Sequence, residues 1–341
     1  MDIYGAIDQL IKKKHLSLEN MKSVMRSIMS GDATPAQIGA FLIALRIKGE
    51  TSEEVLGAAS IMREFATPVS LSVSPVLDIV GTGGDGASIF NVSTASCFVA
   101  AAAGAHVAKH GNRSVTSSSG SADLLEAAGV NLSLSSEQVQ ACIEKVGFGF
   151  MYAINHHPAM KYAASVRKEL KIRTIFNVLG PLTNPASAPH MLVGVYDKSL
   201  LRMYAEVLRE LNIKHALIVR SDDGLDELSI ATTSQLLEVK DGTIREFTIA
   251  PESVGLKRAR SLNDLVVSSP QESLEMITKA FKGQHHQAQD MIALNSGAAL
   301  YTAGLAKSIK QGVALAQDTI GSGMALAKLE ELSSFSQVYA Q

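Results

Sequence analysis

From Asp78 to Gly129 the chain reads DIVGTGGDGASIFNVSTASCFVAAAAGAHVAKHGNRSVTSSSGSADLLEAAG. This stretch decides the fold, because it sets strand-length and helix-length apolar runs one after the other. Val76-Leu77-Asp78-Ile79-Val80 is a buried-strand run; a glycine loop follows, then a helical run from about Ser93 to Ala103. Gly104 stops that helix at its C′ position, Ala105 to Ala108 forms the next strand, and Ser121 opens another helix. Three turns rich in glycine and hydroxyls separate these pieces, and no acidic residue occurs from Gly86 to Ala122. Turns of this kind present backbone N–H groups at helix starts, where anions bind. Lys109, His110 and Arg113 add donors or positive charge. The stretch reads as a site for a large phosphorylated ligand.

Working outward, the chain up to about Thr67 is helical, with Ile3, Ile7, Leu10 and Ile11 at helix spacing. Thr34-Pro35-Ala36-Gln37 and Thr51-Ser52-Glu53-Glu54 each carry the capping-box pattern, the first with proline at the opening helical position. These short helices show no chemistry of their own and read as a small bundle that packs on something, a second copy included. Pro68 and Pro75 bracket a linker. Beyond the quoted stretch, Ser135-Ser136-Glu137-Gln138 caps a further helix, and strands are expected at Met191–Val195, Ala216–Val219 and Leu236–Val239. A helix from about Ser199 to Leu211 falls between the first two, Asp241-Gly242 is a hairpin turn, and helices return from about Gln271. The fold class expected is α/β: a small all-α domain at 1–70, then a larger α/β domain at 71–341 around a mostly parallel sheet. A segment near 165–190 is expected to pack back on the helices.

Of the 341 residues, 46% are hydrophobic and 19% charged, an ordinary globular balance. Acids exceed bases by 33 to 31, a net charge of -2, which argues against duplex nucleic acid or an anionic membrane as partner. Cys97 and Cys142 lie in apolar helical patterns and read as buried thiols. MDIYGAIDQLIKKKH has no secretory pattern, and the longest apolar run, Ala95 to Val107, is too short to span a bilayer. A cytoplasmic protein is expected.

Gly81-Thr82-Gly83-Gly84-Asp85-Gly86 matches GxGxxG, but a dinucleotide site needs a helix starting at the loop and an acid about 20 residues on. Here the helix starts near Ser93 and no acid intervenes between Asp85 and Asp123, so that reading fails. A phosphate cradle remains, since glycine lets backbone approach a diphosphate closely; a plain tight turn is the alternative. Asn91-Val92-Ser93-Thr94 precedes the helix, with Ser93 expected as N-cap and its neighbours' N–H groups free for a phosphate or metal-bound water. Lys109-His110-Gly111-Asn112-Arg113 ends a strand, where open α/β sheets bind ligands, and Ser117-Ser118-Ser119-Gly120-Ser121 opens a helix. Asp226 and Glu227, in Ser221-Asp222-Asp223-Gly224-Leu225-Asp226-Glu227 after a strand, suit Mg²⁺ with water and substrate phosphate; a solvated acidic loop is the alternative. His156-His157 and His285-His286 lack metal spacing and read as surface or structural residues. Arg167 reads as a carboxylate partner or as an exposed helix arginine.

Taken in order, GTGGD, NVST, KHGNRSVTSSSGSAD, HPAMKYAASVRKEL, RTIFNVLGPLTNP and DGLDELS cover most of the chain, and together they resemble the anthranilate phosphoribosyltransferase family. The resemblance implies a fold of the nucleoside phosphorylase/phosphoribosyltransferase type, with a homodimer formed through the helical domain. It implies transfer of phosphoribose from 5-phosphoribosyl 1-diphosphate (PRPP) to the amine of anthranilate, dependent on Mg²⁺, with two ions, in tryptophan biosynthesis. Carried over residue by residue, Gly81, Gly84, Asp85, Asn91, Ser93, Thr94, Lys109, Gly111, Ser117 and Ser121 match PRPP contacts. Gly81, His110, Asn112, Arg167, Gly180 and Pro181 match the anthranilate pocket. Ser93, Asp226 and Glu227 match metal ligands. No residue is expected as general acid or base. A fused glutamine amidotransferase domain is not expected, whereas association with anthranilate synthase subunits is. Ile89 departs from the family's threonine, so a hydroxyl contact to phosphate is expected to be missing or replaced by Ser88. Two rival readings are a nucleoside phosphorylase of the same fold, needing no diphosphate metal site, and a nucleic-acid-binding relative, needing a basic stripe.

Overall fold

The structure is a computed structural model and describes residues 1–114 and 118–339. Four helices come first: α1 (Ile3–Ile11), α2 (Leu18–Ser30), α3 (Pro35–Lys48) and α4 (Ser52–Glu64). Both expected capping boxes form, at Thr34 with Gln37 and at Thr51 with Glu54. Glu54 does more than cap. Its buried carboxylate also accepts from Leu16 N–H at 2.8 Å and from the Lys48 ammonium at 2.7 Å, joining α3, α4 and the loop between α1 and α2 at one polar point.

The remainder alternates strand and helix. In chain order it runs β1 (Val76–Gly81), α5 (Val92–Ala102), β2 (His106–Gly111), α6 (Ser121–Ala127), α7 (Ser136–Ala141), β3 (Phe148–Tyr152), α8 (Ala153–His156), α9 (Lys161–Leu170), α10 (Phe176–Leu179), β4 (His190–Gly194), α11 (Lys198–Glu210), β5 (His215–Ser221), β6 (Ser234–Lys240) and β7 (Thr243–Ile249). Four helices close it: α12 (Pro270–Phe281), α13 (His286–Thr302), α14 (Ile309–Gly321) and α15 (Met324–Gln337). One sheet of seven strands results, in the order β3-β2-β1-β4-β5-β6-β7. The first five are parallel; β6 and β7 join antiparallel through the Asp241-Gly242 turn.

Side-chain alternation divides the buried residues into two layers. Leu77 and Ile79 of β1, Leu192 of β4 and Leu217 of β5 face a core built with α5 and α12 to α15. Val80, Met191, Val193 and Ile218 face the other core, which is continuous through α11, α9 and α10 into α1 to α4. The Arg63 guanidinium reinforces this second layer by donating to the Leu182 carbonyl at 2.6 Å.

Three expectations need correction. β3 was not foreseen: its glycine-interrupted run GFGFMY weakens the strand pattern, and Gly149 is there because Ile143 packs against it. β2 runs on through Lys109 and His110, polar residues that sit in a buried strand because each has partners inside. The start of α5 is capped differently. Asn91 is the N-cap and makes no side-chain cap bond, while the Ser93 hydroxyl donates elsewhere.

Candidate active site

The parallel strands end at one edge, and the order of strands reverses between β1 and β4, the place where open α/β sheets bind ligands. Both strands finish in glycine there, Gly81 and Gly194. The loop after β5 crosses these ends in direct contact. A Cβ on Gly81 would stand 2.4 Å from the Asp226 carboxylate, and one on Gly194 would stand 1.5 Å from the Asp226 carbonyl oxygen. No side chain fits at either position, so the two glycines set how close the acids come to the sheet.

Asp226 accepts the Gly83 N–H at 2.7 Å, which ties the acid loop to the glycine loop. Glu227 sits over the start of α5, accepting from Ser93 N–H at 3.3 Å and from the Ser93 hydroxyl at 3.1 Å. Both carboxyls are pushed above the ordinary range: Asp226 by burial and then by Asp85, Glu227 by burial and then by Asp226 and Asp85. Crowded, desolvated carboxylates of this kind hold a proton or a cation. The oxygen-rich set of Asp226, Glu227 and Ser93, with Asp85 alongside, fits Mg²⁺ better than a softer metal.

Asp223 shapes the loop from within, accepting from the Ser221 hydroxyl and, at 2.6 Å, from the Ser229 hydroxyl. Asn295 of α13 holds its far side. Its carboxamide oxygen accepts Leu228 N–H at 3.0 Å and its amide nitrogen donates to Leu228 carbonyl at 2.9 Å. The sequence signal for Asn295 was a lone amide in the apolar run Met291-Ile292-Ala293-Leu294, since a buried polar side chain must find partners.

The other expected PRPP residues lie on the neighbouring strand β2 and at the starts of α5 and α6. Asn91 is a hub: its carboxamide oxygen accepts from the hydroxyls of Ser119 at 2.7 Å and Ser273 at 2.8 Å, and its nitrogen donates to the Ser119 carbonyl at 3.0 Å. Ser273, on α12, had no signal in the sequence. Thr94 is buried in the first turn of α5. The Lys109 ammonium is buried too, donating to the Ile79 carbonyl at 2.6 Å with Asp78 as its charge neighbour. Gly111 ends β2 beside Ser121, whose hydroxyl donates to the Asn112 carbonyl at 3.2 Å. Ser117 lies outside the described residues. Ile89 pairs through its backbone with Val266 and packs on the core, so at that position the chain trades a hydroxyl for apolar contact.

Of the residues expected around an arylamine, the structure brings His110, Gly180 and Pro181 together. His110 Nδ1 donates to the Gly180 carbonyl at 3.1 Å, and Pro181 follows in a buried turn. The Asn112 side chain is exposed, its oxygen accepting Arg113 N–H at 2.8 Å. Arg167 is half-buried with its guanidinium 5.3 Å from the Phe176 ring centre, so it is not the freely exposed helix arginine. His156 and His157 are structural and buried. The His157 ring lies 5.0 Å from that of His110, and His156 Nδ1 meets the Thr67 carbonyl at 3.0 Å. His285 caps α13.

Residues 73–326 match the a/b domain of the glycosyl transferase family and residues 4–66 match its helical bundle domain. An anthranilate phosphoribosyltransferase of Pseudomonas fluorescens is 55% identical over 100% of this chain and 99% of its own. The chain belongs to the anthranilate phosphoribosyltransferase family. A crystal structure of the Thermus thermophilus member superimposes with a TM-score of 0.91 at 43% identity, covering 97% of this chain and 99% of that one. A Saccharomyces cerevisiae member in complex with PRPP and Mg gives 0.89 at 28% identity, covering 98% of each chain.

The buried histidines make a pH prediction. Burial, with His157 nearby, holds the His110 imidazole down at about 3; burial, with His156 nearby, holds His157 at about 4. Below an ordinary value of 6.5 the unfolded chain binds protons that the folded chain refuses. Their contribution to stability is therefore complete above 6.5 and is lost toward pH 4, by up to about 1.4 kcal/mol per pH unit for each histidine. Asp78, raised by burial to about 6, acts in the opposite sense between its ordinary 3.8 and 6, offsetting one histidine. Asp226 and Glu227, raised likewise by burial, act in the same sense as Asp78, so the histidine contribution is read as a difference: relative to the wild type, the melting temperature of His157→Gln is expected to rise as pH falls from 6.5 to 4.5. Equal slopes in the two proteins would contradict the assignment.

Proposed function

We propose that this chain transfers the phosphoribosyl group of PRPP to the amine of anthranilate, giving N-(5-phosphoribosyl)anthranilate and diphosphate, with Mg²⁺ bound. The observation that carries the reading is the pair of buried carboxyls, Asp226 and Glu227, wedged between glycine-ended strands and the start of α5. Such a pair calls for a cation there, and a polyphosphate is the partner that a cation and exposed loop amides would share. The same pair disfavours a nucleoside phosphorylase, because bare carboxylates would repel inorganic phosphate. The net charge of -2 gives no support to a nucleic-acid-binding role.

Asp226, Glu227 and the Ser93 hydroxyl would hold Mg²⁺, which when bound offsets the charge of the diphosphate. The amides of the glycine loop and of the first turn of α5 would receive the diphosphate and the sugar phosphate. Amides fixed before the charge develops stabilise the departing group without having to reorganise. Anthranilate would lie toward His110, Asn112, Gly180 and Pro181, with Arg167 on its carboxylate. Its arylamine is neutral near pH 7 and attacks the anomeric carbon without prior deprotonation; the C1–O bond to diphosphate breaks, and the proton then shed by the nitrogen passes to the departing diphosphate or to water, so no general base is needed. His110 suits a pocket wall, since burial keeps it neutral. Positioning two reactants in one cleft can supply about 7–11 kcal/mol of the barrier. We place the division between the helical and α/β parts near residue 70, with closure across it excluding water from PRPP.

A homodimer through the helical part is supported by Tyr4, Ile11 and Ile47, apolar side chains 68%, 69% and 73% exposed on α1 and α3. Two free, buried cysteines fit a reducing compartment such as the cytoplasm, and among the described residues no helix is long and apolar enough to cross a membrane. Association with anthranilate synthase subunits belongs to the same reading and is tested by co-sedimentation.

The decisive assay follows conversion of anthranilate with PRPP and Mg²⁺ by the change in arylamine fluorescence; no turnover would refute the reading. Asp226→Asn with Glu227→Gln is expected to abolish Mg²⁺-dependent turnover while the circular dichroism spectrum is kept, and full activity in this variant would remove the metal role. Arg167→Ala is expected to raise the KM for anthranilate more than that for PRPP; equal changes would count against the carboxylate contact. Ile47→Glu is expected to convert a dimer to a monomer in sedimentation velocity, and a monomeric wild type would dispose of the dimer.

A further inference from the structure

The glycine loop between β1 and α5 is held from two sides. On one side Asp226 takes the Gly83 N–H at 2.7 Å. On the other, Arg173, in the segment between α9 and α10, donates through Nη2 to the Gly84 carbonyl at 2.5 Å. The guanidinium also lies over the Tyr196 ring, 4.0 Å from its centre. Tyr196 is itself tied to the loop, its N–H donating to the Thr82 hydroxyl at 3.1 Å, and its carbonyl accepts from Arg220 at 3.4 Å. Gly84 has φ +81°, and a Cβ there would stand 2.6 Å from Arg173 Nη2, so glycine is what admits the guanidinium.

A trans peptide is planar, and its carbonyl and the following N–H point in opposite directions. Fixing the Gly84 carbonyl on Arg173 therefore turns the Asp85 N–H away from Arg173. Among the described residues, the N–H groups of Gly84, Asp85 and Gly86 donate to no protein acceptor. Successive amides left free in a loop with positive φ at Gly83, Gly84 and Gly86 form an anion-receiving concavity. The bond to Gly84 thus orders a peptide whose other end is unspent.

We propose that Arg173 is a positioning residue for the leaving group: it holds the Gly84 carbonyl so that the Asp85 amide is aimed at the diphosphate of PRPP. The proposal rests on the function given above and adds a residue that acts through the backbone, not by touching substrate. It also makes the segment that carries Arg167 and Arg173 contribute to both substrates, one residue to each.

The test uses the full-length enzyme and magnesium diphosphate as inhibitor. An inactive wild type would refute the proposed function and leave nothing for Arg173 to position, so wild-type turnover is measured first. Arg173→Ala is then expected to raise the KM for PRPP and the inhibition constant of diphosphate in parallel, by roughly tenfold to a hundredfold, and to leave the KM for anthranilate close to wild type. Arg173→Gln keeps a neutral N–H donor and is expected to restore most of the loss. Unchanged PRPP and diphosphate constants in Arg173→Ala would overturn the proposal. So would rescue by Arg173→Lys without rescue by Arg173→Gln, which would mean that the charge acts on the ligand directly. A joint rise of both substrate constants with a lowered melting temperature in all variants would mark a merely structural residue. If Arg173→Ala does not fold, the Gln and Lys variants decide between the same outcomes.

Discussion

The closeness of Asp226 to the ends of β1 and β4 is the constraint on which the rest depends. Two glycines remove the side chains that would keep the acid loop off the sheet, and the loop then lies directly on the strand ends. Because it lies so low, Asp226 reaches the Gly83 amide and Glu227 reaches the first turn of α5. The acids are desolvated by the same approach, which raises their affinity for a proton or a cation. Position, burial and chemistry at this point have a single geometric cause.

Much of this was legible because it depends on local sequence. Capping boxes at Thr34 and Thr51, the stop at Gly104 and the hairpin at Asp241-Gly242 are decided within a few residues, and each formed where it was expected. The candidate site was legible as residue types at strand ends. What the sequence could not show was pairing across long separations. Ser93 looked like an N-cap, yet its hydroxyl goes to Glu227, 134 residues away, because that carboxylate competes for it. Asn91 looked like a phosphate ligand, and its side chain also holds Ser119 and Ser273, 28 and 182 residues away. Arg173 was one more basic residue in a loop until its guanidinium was found on Gly84.

Beneath the site lies a polar layer that the strand patterns gave no reason to expect. Asp78 accepts from Asn184 at 2.7 Å, Lys109 stays near it, and His110 and His157 remain neutral above. Each group is buried and most of its bonds run to backbone, so the layer fixes where β1, β2 and the Gly180 turn sit relative to one another. Arg63 extends the connection to α4. The helices at the N-terminus and the strand ends are therefore joined through polar contacts as well as through a shared apolar core.

The clamp of Asn295 on Leu228 has a mechanical consequence. Six and seven residues further along α13, about 10 Å of helix rise, Tyr301 donates to Glu238 at 2.7 Å and the Thr302 carbonyl meets His190 Nδ1 at 2.7 Å, at the opposite rim of the sheet. Between these anchors Gly297 lies so close to Gly312 of α14 that neither could carry a methyl group. One rod, pinned at its middle and braced from the side, runs from the acid loop to the far rim. The acids thus share a stiff body with residues that never see a ligand, and the elevation of the loop over the strands is gauged against the full height of the sheet.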